Sequence, residues 1–123
     1  APLLRHDEQV DRELSTWERD LLAALASAPG PQRETIRESL PYLVWTGGCG
    51  CGCASFNVRD SRYEEPPHEL VHYSDGWTPD HSISFAFYLG EGNRPISVDI
   101  FTEQEHFDAR PDPATIVVVP AGL

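Results

Sequence analysis

Apolar residues near the start of the chain recur every three or four positions, the spacing of one face of an α-helix. This pattern predicts a helix over residues 7–28, because acidic residues at its start suit the positive end of the helix dipole and the sequence APGP (28–31) stops it. A second, shorter helix is predicted over residues 31–40, with a proline at its first position. The apolar stripe of the first helix consists of Val10, Leu14, Trp17, Leu21, Leu25 and Ala28.

After the second helix, apolar and polar residues alternate, which is typical of strands with one buried face. An extended segment is predicted over residues 42–46, because β-branched and aromatic side chains dominate it. A strand is predicted to begin near Cys53. The alternation over residues 54–59 should bury Phe56 and Val58 on one face of that strand.

The clearest alternation covers residues 83–89, and a returning strand is predicted over residues 96–100. The turn sequence GEGN (90–93) joins the two strands into a hairpin. The run TIVVV (115–119) fits either a last strand or a packed tail. Two helices followed by strands predict an α+β fold, with two N-terminal helices packed on one face of an antiparallel β-sheet.

The length of 123 residues predicts a single domain with one modest core, divided into a helical segment (1–40) and a strand-rich segment (41–123). No apolar run approaches the roughly 20 residues that span a bilayer, and the start of the chain shows no apolar segment typical of a signal peptide. All three cysteines lie within a five-residue window, so a disulfide between two of them cannot link distant parts of the fold. We therefore expect a reducing, cytoplasmic location.

The formal net charge is −11, and all nine basic residues are arginines. Residues 41–123 contain twelve acids and four arginines (−8), whereas residues 1–40 contain eight acids and five arginines (−3). This excess argues against binding to nucleic acid or an anionic membrane, and it allows a basic protein partner. The simpler interpretation is that acidity keeps the chain soluble. The residues predicted to contact a basic partner are Glu64, Glu65, Glu69, Asp75, Glu103, Glu105 and Asp108.

The cysteines occupy alternate positions of a glycine-rich run, GGCGCGC (47–53). In an extended strand, residues two apart are separated by about 6.6 Å, so three thiolates converge on one zinc ion only if the glycines fold the run inward. A redox role lacks a nearby cation or helix N-terminus to lower the thiol pKa. Close packing of small side chains without a cofactor is the simplest explanation, and zinc binding is the alternative. The candidate zinc ligands are Cys49, Cys51 and Cys53, completed by His68, His72 or His81.

The order of these features resembles a group of small hypothetical proteins from high-GC actinobacteria. Paired helices, the extended sequence LVWTGG and then CGCGCASFNV, followed by two alternating strands, are similar to that group over roughly residues 13–101. The resemblance implies that residues 49–53 form the hallmark of a cytosolic domain and carries over no activity. Residues 62–81 depart from the group, so the histidines of that segment inherit no role from it.

The sequence HELVH (68–72) matches the H-E-x-x-H pattern of zinc proteases. That chemistry needs a helix, which places both imidazoles on one face with Glu69 as general base. Two prolines precede the segment and YSDG follows it, so a strand is predicted instead, with His68 and His72 about 13 Å apart. We therefore predict that these two histidines do not share one metal ion.

No catalytic set of residues stands out, and we expect a non-enzymatic protein-binding module. Small acidic proteins such as immunity proteins and antitoxins block basic surfaces, and the comparison with them is one of analogy. The alternative is a zinc-binding domain or metalloenzyme that uses the cysteine run with His68 or His72. Composition and motifs leave the oligomeric state open.

Overall fold

A computed structural model describes residues 11–48, 55–65, 67–102 and 110–121. Within these residues the chain forms two α-helices and a seven-stranded antiparallel sheet, which confirms the α+β class. Short 3-10 turns cover Leu40–Tyr42, Glu91–Asn93 and Pro113–Thr115. The helices are α1 (Thr16–Ala26) and α2 (Arg33–Ser39), and the strands are β1 (Arg12–Glu13), β2 (Leu43–Gly48), β3 (Phe56–Asp60), β4 (Val71–Trp77), β5 (Ile83–Gly90), β6 (Arg94–Thr102) and β7 (Val117–Pro120).

The sheet has the strand order β1-β2-β3-β6-β5-β4-β7. Its centre is the predicted hairpin of β5 and β6, in which Phe85 lies opposite Ile100 and Phe87 lies opposite Val98. All four of these side chains are buried in the hydrophobic core. The run near the end of the chain forms β7, which pairs with β4 at one edge of the sheet.

The first helix begins later than its apolar spacing predicts. Ser15 is its N-cap: the Ser15 hydroxyl accepts a 3.1 Å hydrogen bond from the Glu18 backbone, and the Glu18 carboxylate accepts one of 2.8 Å from the Ser15 backbone. The preceding residues Arg12 and Glu13 pair with β2 as a strand. The prediction of helix is therefore wrong for residues 11–15, because backbone pairing with β2 and this capping box override the helical spacing.

One hydrophobic core contains side chains of both helices and of the sheet. Polar contacts also tie α1 to β4: the Ser74 hydroxyl donates a 2.7 Å hydrogen bond to the Leu25 carbonyl, and the Tyr73 hydroxyl donates one of 2.5 Å to the carbonyl of Ala28. Gly76 allows this close approach, because a Cβ there would lie 3.0 Å from a Leu25 methyl carbon.

Two further expectations for the strands are settled in part. Phe56 and Val58 are buried in β3, as predicted, whereas the predicted start near Cys53 lies outside the described residues. The segment that contains the two histidines forms no helix in its described part, because β4 begins at Val71. The prediction that His68 and His72 share one strand is wrong, since His68 lies in the loop before β4 and only His72 belongs to the strand.

Candidate functional site

The central strands of the sheet present a second row of side chains on the face away from the core. Along β5, Phe85 and Phe87 point into the core, so the alternating Ala86 and Tyr88 point outward. Directly opposed residues of neighbouring strands share a face, which places the partners of these residues on the same side. We call this surface the outer face; it consists of His72, Asp75, Trp77, Ser84, Ala86, Tyr88, Ser97, Asp99 and Phe101.

Two carboxylates lie in one row across the outer face. Ala86 is paired with Asp75 of β4 on one side and with Asp99 of β6 on the other. Since neighbouring strands are about 4.8 Å apart, the Cα atoms of the two aspartates are separated by roughly 10 Å. The Ala86 side chain between them is small and itself buried, 5% exposed.

The phenol of Tyr88 lies within electrostatic reach of both carboxylates. Burial is the main cause that raises the pKa of Tyr88, and the negative charges of Asp99 and Asp75 raise it further. The phenol therefore stays protonated at neutral pH and remains a hydrogen-bond donor beside the aspartates.

His72 is engaged by two neighbours on the outer face. Its Nε2 lies 2.7 Å from Oδ1 of Asp75, and its ring stacks on Tyr88 with 5.1 Å between the ring centroids. These contacts follow from the register, because His72 pairs directly with Tyr88. His72 is thus part of a polar cluster on the sheet.

Apolar side chains flank the polar row. Ser84 lies between Trp77 and Phe101, and Trp77 pairs on its other side with Val117 of the edge strand. The side chain of Phe101 is 54% exposed and that of Val117 is 45% exposed. The Trp77 ring stacks on His81 at 5.8 Å between centroids. Exposed aromatic groups beside charges are typical of protein–protein interfaces.

The acidic residues predicted to bind a partner are distributed over more than one part of the molecule. Glu64 and Glu65 lie in the exposed loop after β3, and Glu69 is exposed just before β4. Asp75 lies on the outer face, beside Asp99, which we did not predict as a binding residue. The sequence contains a signal for this position, because Asp99 alternates with the apolar residues Val98 and Ile100 of its strand. Glu103, Glu105 and Asp108 lie outside the described residues.

One acidic residue of the strand-rich segment forms an internal ion pair and is not exposed to a partner. Asp60 is buried and accepts hydrogen bonds from the Arg62 side chain at 2.7 and 3.0 Å. Burial raises the pKa of Asp60, but the bonds to Arg62 outweigh it, and the pKa is lower than that of an ordinary aspartate. This carboxylate is consumed by an internal ion pair and is not available to a partner.

The predicted zinc site falls on a part of the chain that is not described. Cys49, Cys51 and Cys53 lie outside the described residues. Among the residues that are described, no group of three or more histidines, cysteines, aspartates or glutamates is arranged to hold a metal ion. Zinc binding by the cysteine run therefore stays the untested alternative to close packing without a cofactor.

Comparisons with protein-family models, with curated proteins and with solved structures found no match. The resemblance to actinobacterial proteins and the cytoplasmic location therefore stay predictions. In the described ranges, neither helix has the length and apolar character that crossing a membrane requires. The properties of the outer face itself are thus the basis for assigning a function.

Proposed function

We propose that this chain is a non-enzymatic protein-binding module whose outer face binds a basic protein. The observation that carries the proposal is the row Asp75–Ala86–Asp99, in which two carboxylates flank a small side chain beside an aromatic ring. A lysine or arginine laid over Ala86 would meet a carboxylate on each side and the ring of Tyr88 at one end. The exposed ring of Phe101 and the half-buried ring of Trp77 would supply apolar contact area.

The charge of the molecule supports the same class of partner. The nine side chains of the outer face include two carboxylates and no arginine, and the whole chain carries a net charge of −11. Such a potential accelerates the approach of a basic protein and disfavours acidic competitors. Glu64, Glu65 and Glu69, together with Glu103, Glu105 and Asp108, are proposed to add to this attraction through the net charge of the chain.

The proposal requires that α1 and α2 cover the opposite face of the sheet. The presence of Leu25 of α1 and Ile36 of α2 in one core with Phe85 and Phe87 supports this arrangement. The helices would then act as a support, and the outer face would remain open to the partner. In this role the chain would act like an inhibitor of the immunity-protein or antitoxin type, a comparison based on charge alone.

Capture with the immobilised chain tests the proposal. A lysate of the source cells is passed over wild type and over an Asp75→Asn, Asp99→Asn variant, and retained proteins are identified by mass spectrometry. We expect wild type to retain a protein of high isoelectric point at low salt and to release it at high salt. When that protein is purified and titrated calorimetrically, its dissociation constant should rise by about tenfold or more for the variant.

The matched control removes the same number of negative charges, two, from the helical side. Glu34→Gln, Glu38→Gln removes two exposed carboxylates of α2 and should leave the affinity for the captured protein unchanged. The proposal is wrong if no basic protein is retained by wild type, or if the control weakens binding as much as the outer-face variant does.

A further inference from the structure

The surface between the two helices contains a groove that the proposed function does not use. Two adjoining cavities of about 310 and 570 Å³ share Ala23, Leu40 and Pro41, which form an apolar floor. The groove is open to solvent along α1 and α2, and we call it the interhelical groove.

The rim of the interhelical groove is basic in a chain that is otherwise acidic. Among the residues that the structure describes, the rim contains three of the nine arginines, Arg19, Arg33 and Arg37, and one carboxylate, that of Asp20. Arg37 forms an ion pair with the exposed Glu34, at 3.5 Å. Within the described ranges, Arg19 and Arg33 form no ion pair. The groove therefore suits a segment that is both acidic and partly apolar.

An acidic segment of this same chain lies directly beside the groove. Tyr42 follows the floor residue Pro41, and the Tyr42 carbonyl accepts a 2.8 Å hydrogen bond from the backbone of Ser61. The Arg62 guanidinium lies 4.2 Å from the centroid of the Tyr42 ring. Residues 61–65 therefore begin at the end of the groove. We call them the acidic loop, because Glu64 and Glu65 are both exposed.

The net charge of the acidic loop remains negative after its internal contacts are counted. Its only arginine, Arg62, is neutralised by the buried carboxylate of Asp60. The side chains of Glu64 and Glu65 form no ion pair with another described residue. The loop also exposes the ring of Tyr63, which is 47% accessible, next to these carboxylates.

We propose that the interhelical groove binds the acidic loop of a second copy of this chain in a two-fold dimer. A two-fold interface uses the same surface of both copies, so each element on one copy must find its complement on the other. A basic groove and an acidic loop that lie side by side meet this condition, because both groove–loop contacts form at once. An unrelated acidic partner would fill the groove but leave the loop without a complement.

The exposed tyrosines strengthen the same interface. Tyr42, at the junction of groove and loop, is 44% exposed, and its ring is already held against Arg62. Arg94 lies in the same way over Tyr63, 4.3 Å from the ring centroid. Tyrosine and arginine are enriched at the energetic centre of protein interfaces, and groups fixed before binding lose little conformational entropy.

Sedimentation equilibrium of the full chain and of two charge-reversed variants tests the dimer. The groove variant is Arg33→Glu, Arg37→Glu, and the loop variant is Glu64→Arg, Glu65→Arg. All four side chains are exposed, so circular dichroism should show that both variants fold. We expect wild type to dimerise at about 0.15 M salt, where the repulsion between two chains of net charge −11 is screened beyond about 8 Å. We expect the dissociation constant of each variant alone to rise by about tenfold or more.

An equimolar mixture of the two variants gives the decisive result. The acidic groove of one then faces the basic loop of the other, and the second contact retains its natural charges, so the mixture should form a heterodimer. A wild-type chain that stays monomeric at high concentration and about 0.15 M salt would overturn the proposal. It would also be overturned by variants that dimerise as wild type does, or by a mixture that does not associate. Asp75→Asn, Asp99→Asn leaves this surface intact and should dimerise normally, which separates this test from that of the proposed function.

Discussion

The guanidinium of Arg12 in β1 holds the carboxylate of Glu18 in α1 through two hydrogen bonds, each 3.0 Å long. Glu18 is only 6% exposed, and the same carboxylate closes the capping box of α1 with Ser15. The Arg12 guanidinium also lies 4.3 Å from the centroid of the Trp45 ring. This ion pair therefore joins the edge strand, the first helix and the second strand at one point.

Removal of the charge of Glu18 should destabilise the fold by about 1–3 kcal/mol. Glu18→Gln keeps an oxygen that accepts a hydrogen bond from the Ser15 backbone. It loses the ion pair with Arg12, and the Arg12 guanidinium is left without its partner. Glu18→Ala loses both contacts and should cost about 1 kcal/mol more, the usual value of an N-cap interaction. Urea unfolding curves of the two variants measure the difference. Equal stabilities would show that the capping contact contributes nothing beyond the ion pair.

The Asp80 carboxylate should titrate near pH 2 and contribute to stability against acid. Hydrogen bonds from the backbone of Ser82, from the hydroxyl of Thr78 and from the hydroxyl of Ser82 lower the pKa of Asp80 to about 2. Because the folded pKa is below the unfolded value of about 3.9, the contribution is complete above that value and is lost as the pH falls toward 2. Carboxyl chemical shifts measured by NMR against pH give this pKa directly.

The matched variants for this titration are Thr78→Ala and Ser84→Ala. Thr78→Ala removes one donor to Asp80, and the Asp80 pKa should move up toward its ordinary value. Ser84 lies on the outer face and donates no hydrogen bond to this carboxylate, so Ser84→Ala should leave the titration unchanged. An Asp80 pKa near 4 in the wild-type chain would contradict the prediction.

Local patterns in the sequence predict the central hairpin because successive side chains of β5 and β6 face the core and the outer face in turn. Phe85 and Phe87 lie in the core, and the intervening Ala86 lies on the outer face, so the alternation alone is sufficient. The hairpin turn also fixes which strands pair. The same alternation places Asp75 and Asp99 on the outer face, because each of them alternates with residues that face the core.

The remaining pairings depend on contacts between distant parts of the chain. β3 pairs with β6, and β4 lies between β5 and β7; alternation within a strand carries no information about its neighbour. The N-terminal strand was missed because Arg12–Glu13 contains no strand pattern and gains its structure from β2. The start of α1 could have been predicted, since Ser15 and Glu18 have the spacing of a capping box.

Purified protein should contain far less than one zinc ion per chain. In an extended run, alternate cysteines would lie about 6.6 Å apart, too far for three thiolates to converge on one ion. His72 is already in contact with Asp75. Elemental analysis of protein purified without chelator, beside a Cys49→Ser, Cys51→Ser, Cys53→Ser variant, measures the metal content. One zinc ion per wild-type chain that is lost in the variant would establish the alternative function as a zinc-binding domain.

Substitution of Gly76 by alanine should destabilise the fold by about 1–3 kcal/mol, the usual cost of overfilling a packed core. The new Cβ would lie 2.9 Å from Cγ2 of Ile116 and 3.0 Å from Cδ2 of Leu25, so α1 and the segment before β7 would both have to shift away from β4. The matched control is Gly48→Ala in β2, where the nearest atom, the Ser55 carbonyl oxygen, is 3.7 Å away.

Thermal unfolding followed by circular dichroism compares these two variants with wild type. Gly48→Ala should unfold close to the wild-type temperature, because an added methyl group there makes only ordinary van der Waals contacts. Gly76→Ala should unfold several degrees lower, since a loss of about 1 kcal/mol moves the midpoint of a chain of this size by roughly 3–6 °C. A Gly76→Ala variant as stable as wild type would mean that α1 does not pack as closely on β4 as the distance to Leu25 indicates, and the helical support proposed for the outer face would be wrong.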